Sequence, residues 1–153
     1  MVEIAPDNEQ SHYNLGLQYQ KIGKNTEAIA AFQRAVEIKP TFEFGWFQIG
    51  SCYYAMKNYS KAITAFQKNT ELVPDQIYGW MYLGMSQMQI KQFGAALESM
   101  KKAVDLKPDN TDALFNLGVI YLNLRDRTSA LEIVKTLQTL DQAKAAKLKS
   151  YIK

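Results

Sequence analysis

From Phe44 to Met56, and again from Ile77 to Ile90, the chain carries no charged residue. The stretches that follow, "SKAITAFQKNTELV" (60–73) and its counterparts, set Ala62, Ala65 and Phe66 among lysines and a glutamate. That pattern predicts helix, turn, helix, with "KN" (57–58) as the short turn. A surface helix normally keeps one charged or polar face. The uncharged helices therefore pack on one side and are expected to line a groove on the other.

The pattern repeats. Gly16, Gly50, Gly84 and Gly118 stand 34 residues apart, as do Pro6, Pro40, Pro74 and Pro108, and Ala28, Ala62, Ala96 and Ala130. Three residue types keeping one period along the chain predict a repeat array. Proline ends each pair, because the residue before it is pushed out of helical geometry. Asp7, Asp75 and Asp109 then stand where they can cap the next first helix, and Thr26, Ser60 and Thr128 where they can cap the second. The glycines are expected to let the two helices approach at the level of the alanines.

The spacing of Trp46, Ile49-Gly50, Tyr53, Ala62, Phe66 and Pro74 resembles the tetratricopeptide repeat. So does that of Trp80, Leu83-Gly84, Ala96, Ala103 and Pro108, of Leu15-Gly16, Tyr19, Ala28, Phe32, Ala35 and Pro40, and of Leu114, Leu117-Gly118, Tyr121 and Ala130. His12, Asn69, Gln87 and Gln142 depart from the pattern. The resemblance implies an all-α superhelix (solenoid) of four repeats, at 9–42, 43–76, 77–110 and 111–144. It also implies a capping helix at 145–153, with Ala145, Leu148, Tyr151 and Ile152 as its apolar stripe and the C-terminus as a natural end. Residues 1–8, with "EIAPDN", read as the remnant of a preceding repeat or as the lead-in to the first helix. The match to "EIKPTF" (37–42) favours the remnant, while Ser11 and Gln18 give the first helix the polar outer face of a natural first repeat.

Composition, 47% hydrophobic and 22% charged, is that of a soluble globular protein. No apolar run reaches the roughly 18 residues that a membrane helix needs. A cytoplasmic chain, or a periplasmic one whose signal segment was removed, fits equally. The net charge of +3 is not a basic face: the four repeats carry +1, 0, +1 and 0, and the last nine residues carry +3. A nucleic-acid partner, which needs a concentrated phosphate-contacting surface, is not expected. The single cysteine, Cys52, gives no disulfide or metal cluster and reads as a small buried residue. One histidine, scattered carboxylates and periodic single glycines supply no converging catalytic set, cofactor loop or metal site. The chain reads as a non-enzyme without cofactor.

Once the scaffold positions are assigned, the groove is expected to hold Tyr13, Asn14 and Leu17 on one flank. Phe44, Phe47, Gln48, Ser51 and Tyr54, then Tyr78, Met81, Tyr82, Met85 and Met88, would form its centre. Phe115, Asn116, Val119 and Leu122 would form the other flank. With aromatics burying roughly 150–250 Å² each, a third left exposed would give a patch on the order of 300–500 Å², a size that is often functional. The expected partner is a protein or peptide with apolar side chains. The rival reading is a homo-oligomer in which the groove, or the open N-terminal end, packs on another copy. Some members of the resembled family grip a C-terminal carboxylate with Lys, Asn and Arg. Here those positions hold Tyr13, Leu17, Gln48, Tyr78 and Tyr82, or one repeat later Phe47, Ser51, Tyr82, Asp112 and Asn116, and the cations are missing. Asn14, Gln48, Tyr82 and Asn116 also recur in register, weakly resembling an amide ladder for a peptide backbone.

Overall fold

The computed structural model describes residues 8–152, which form nine α-helices and no strand. First helices are α1 (Glu9–Lys21), α3 (Glu43–Ala55), α5 (Ile77–Gln89) and α7 (Thr111–Asn123). Second helices are α2 (Asn25–Ile38), α4 (Tyr59–Leu72), α6 (Phe93–Leu106) and α8 (Arg127–Leu140), and α9 (Gln142–Tyr151) follows. The fold class is the all-α repeat architecture. The chain divides into two compact units, Met1–Pro74 with α1–α4 and Asp75–Lys153 with α5–α9. Apart from Asn8, the lead-in 1–8 and the capping assigned to Asp7 lie outside the described residues, as does Lys153.

One turn joins every pair of helices. In the first, the amide of Gly23 donates to Gln20 O at 3.0 Å and that of Lys24 to Tyr19 O at 2.9 Å, so the last carbonyls of α1 are satisfied. The middle residue must be left-handed: Gly23 at φ 76°, then Lys57, Lys91 and Arg125 at 59°, 61° and 62°. This turn moves the caps. Asn58 and Asp126, not Ser60 and Thr128, accept from the third residue on, Lys61 N and Ser129 N, because the helix already begins at residue 59 or 127. Thr26 likewise lies inside α2, whose cap position, Lys24, makes no side-chain cap bond. At the starts of α1 and α7 the caps are Asn8 and Asn110, one residue after the expected aspartates, and Gln76 at α5 makes no side-chain cap bond.

In the first unit, Ala28, Ile29, Phe32, Val36, Ile49, Cys52 and Ala65 form the core. The repeated glycine lies at the level of the repeated alanine at Gly84, where a Cβ would stand 3.4 Å from Ala96 O, but it meets a larger neighbour more closely. It faces the large side chain four residues further on, and a Cβ at Gly50 would lie 2.7 Å from the Phe66 ring. Gly16 meets Phe32 in the same way, and in the second unit Gly84 meets Met100. Asn69, one departure from the repeat pattern, is buried and donates to Glu43 O at 3.0 Å, tying α4 to the start of α3.

The second unit has two adjoining cores. One joins Met81, Met100, Ala103, Ala113 and Leu117, and the other joins Leu114, Val134, Leu137, Ala145 and Leu148. Gln87, in place of the repeat's tyrosine, is buried and accepts from Ser99 Oγ at 2.8 Å, so its burial leaves that carbonyl paired. The last helix starts earlier than 145. Where the other joints hold proline, position 142 is Gln, and the chain re-enters helix after the single residue Asp141. Asp141 caps α9 through Lys144 N at 3.0 Å and pairs with Lys144 Nζ, which also reaches Asp112 at 3.1 Å and Thr111 Oγ1 at 2.9 Å.

Candidate functional site

In the first unit the predicted groove residues lie on α1 and α3. Tyr13 stands among rings, 5.6 Å from Phe32, 5.2 Å from Phe42 and 6.4 Å from Phe44. The cluster anchors on Phe42, which is buried, and opens at Phe44, which is 49% exposed. Phe47 rests edge-on against Phe66 at 5.6 Å and is half-buried, as are Leu17, Gln48, Ser51 and Tyr54. Tyr54 packs edge-on against Tyr59 at 5.4 Å. Phe42 and Tyr59 were missed because they lie in a joint and at the start of a second helix, outside the first-helix periodicity.

The amides of this face are partly spoken for. Asn14, exposed, accepts from Gln10 Nε2 at 2.9 Å, and Gln48 accepts from Gln20 Nε2 at 3.3 Å. Gln20 also reaches Cys52 Sγ at 3.6 Å. Burial nevertheless dominates at that sulfur and pushes the Cys52 thiol up to about 11, so it stays protonated at neutral pH. Cys52 is a core residue.

In the second unit Tyr78 is 59% exposed, while Tyr82, Met85 and Met88 are half-buried beside it on α5. Met81 instead turns into the core with Met100, only 7% exposed. Met100 stands where Phe32 and Phe66 stand in the earlier repeats, and the thinner side chain leaves room that a flexible methionine fills. Met81 therefore offers no surface. On α7, Phe115, Asn116, Val119 and Leu122 are half-buried. Phe115 has Lys147 Nζ 5.4 Å above its ring and Tyr151 at 6.3 Å, so α9 contributes to this face through residues that the first-helix periodicity does not include.

Among the described residues no group of three or more His, Cys, Asp or Glu side chains is placed to hold a metal. No helix there is long and apolar enough to cross a membrane. His12 is half-buried on α1.

Tetratricopeptide repeat family models match residues 10–42, 45–75 and 88–150. No curated protein matches significantly in sequence. Among solved structures, the chain is similar to that of MamA, with a TM-score of 0.85 at 23% identity over 93% of this chain and 83% of that one. It is also similar to the first tetratricopeptide repeat domain of Spaghetti (RPAP3) bound to the HSP90 peptide SRMEEVD, with a TM-score of 0.74 at 18% identity over 82% and 99%. A third is TTC0263, a thermophilic tetratricopeptide repeat protein of Thermus thermophilus, with a TM-score of 0.69 at 19% identity over 92% and 80%. At these identities the likenesses establish the fold.

Proposed function

Because the chain belongs to the tetratricopeptide repeat family, we propose that it is a non-enzymatic protein-interaction module whose first helices hold an apolar or aromatic peptide segment or helix. One observation carries the reading. The first helices of the second and third repeats are uncharged from Phe44 to Met56 and from Ile77 to Ile90, yet leave Phe44 49% and Tyr78 59% exposed. A helix face that need only meet water has no cause to exclude every charge. Rings and methionines give large contact area at low rotamer cost and adapt to apolar partners. The peptide-bound relative supports the class of partner. The apolar preference is this chain's own and follows from its lining residues.

The test uses the exposed rings, because Phe47 also supports Phe66 and its loss would confuse folding with binding. Phe44→Glu and Tyr78→Glu should leave helical content unchanged. Each should weaken capture of a Leu- and Phe-bearing amphipathic peptide by about tenfold or more, the range of an aromatic hot spot. Unchanged affinity in both variants would reject the reading. Light scattering over a wide concentration range tests the rival. A monomer leaves these faces to a foreign partner, whereas a dimer dispersed by Phe44→Glu makes a second copy the occupant.

A further inference from the structure

We propose that the α7–α8 turn and the end of α9 form a separate subsite for an acidic residue beside an apolar one in a partner peptide. A cavity of about 380 Å³ lies there, lined by Leu122, Arg125, Arg127, Tyr151 and Ile152. Its floor is apolar and its rim is cationic.

The repeat shows how the rim arises. Arg127 stands 68 residues after Tyr59 and 34 after Phe93, so a guanidinium replaces the aromatic that opens the second helix in the two central repeats. In the second repeat that aromatic closes over Tyr54, the counterpart of Leu122. With Arg127 there instead, the position above Leu122 stays open and charged. Arg125 is held at φ 62° by Arg125 N to Leu122 O and Asp126 N to Tyr121 O. Both arginines are exposed, and neither has an ion pair among the described residues.

The carboxylate between them stays ionised and offsets one of the two charges, but it forms no ion pair with either arginine. Asp126 is committed to the α8 cap, accepting from Ser129 N at 3.0 Å and Ser129 Oγ at 2.6 Å. Guanidinium forks bind carboxylates bidentately, and Leu122, Tyr151 and Ile152 offer the apolar contact that anchors a neighbouring side chain. A nucleic acid would need a track of phosphate contacts, and an apolar floor gives it nothing.

That the ligand is a peptide rests on the interaction-module reading; the cationic rim does not. The experiment takes the full chain and two fluorescein-labelled, end-blocked peptides, Asp-Glu-Leu-Phe-Asp-Glu and its Lys-for-acid counterpart, followed by anisotropy. The acidic peptide should bind more tightly by about tenfold or more, with affinity falling as salt rises. Combining Arg125→Gly, which suits the left-handed turn, with Arg127→Gln should remove that preference while circular dichroism stays unchanged. Arg34→Gln, which removes one exposed cation from the first unit, should leave it intact. Equal binding of the two peptides, no binding of either, or a preference that survives the double variant would overturn the subsite. If Phe44→Glu alone abolishes binding, the subsite fails and the α3 face stands.

Discussion

Lys57, Lys91 and Arg125 occupy the backbone conformation that Gly23 adopts freely. A residue with a Cβ pays roughly 1 kcal/mol for it. Lys57→Gly and Lys91→Gly should each raise unfolding stability by about 0.5–1 kcal/mol, net of glycine's larger unfolded-state entropy. Denaturant midpoints at constant slope would check this, and a loss of stability would contradict it. Gly23 advertises the turn in the sequence, but the three cationic residues do not, since nothing in a lysine indicates a left-handed backbone. The same blindness placed the caps at Thr26, Ser60 and Thr128, two residues late for the turn that forms. Single residues also explain the tolerated departures. Asn69 and Gln87 look like defects in the repeat until their partners, Glu43 O and Ser99 Oγ, are placed.

Among the elements, α9 differs most from a period-based expectation. Its Leu148 is fully buried and fills the space over Gly118, which in the earlier repeats is filled by a residue of the repeat's own second helix. Leu148→Ala should cost about 2–5 kcal/mol through lost burial and the cavity left behind. Hydrogen exchange should rise in α7–α9 and not in α1–α4; a uniform rise would show that α9 is not a local lock. The start of α9 is also sensitive to acid. Backbone and side-chain bonds from Lys144 hold the Asp141 carboxyl below its ordinary 3.8, and bonds from Ser129 do the same at Asp126. Both folded values are depressed, so the stabilisation is present above the unfolded value and is lost as pH falls through the folded one. Lys144, raised by Asp141 and Asp112, contributes below its unfolded value of 10.5 and loses that contribution only as pH rises beyond it. Protection of the α9 amides relative to their intrinsic exchange rate should therefore fall below about pH 4, and Asp141→Asn should flatten that response. An equal acid response in the Asn variant would move its origin elsewhere.

At the scale of the whole molecule, the two units are held by different core chemistry. The first packs rings and β-branched residues around Phe32 and Ile49, and the second packs methionines and small residues around Met100. That difference decides what each unit leaves at its surface. Phe66 props Phe47 in place, whereas Met100 makes room for Met81 to turn inward. The predicted losses at Phe44→Glu and Tyr78→Glu thus belong to separate units, and each variant should weaken binding without disturbing the other unit's core.

The 34-residue step by itself determined the helix pairs and the family, and the uncharged runs 44–56 and 77–90 were legible beside it, because period and charge are properties of order along the chain. The proposed lining rests on the same order: once the scaffold positions of a repeat are assigned, the remaining face of each first helix follows. Only the tertiary structure decided which large side chains remain exposed, since that depends on what stands opposite them. It turned Met81 inward, laid Leu148 over Gly118 and brought Tyr151 and Ile152 to the edge of the α7–α8 turn. Leu148 stands 34 residues after Leu114 and 68 after Trp80, yet in the earlier repeats the glycine is met by the repeat's own second helix, and which of the two side chains fills that space is fixed by packing.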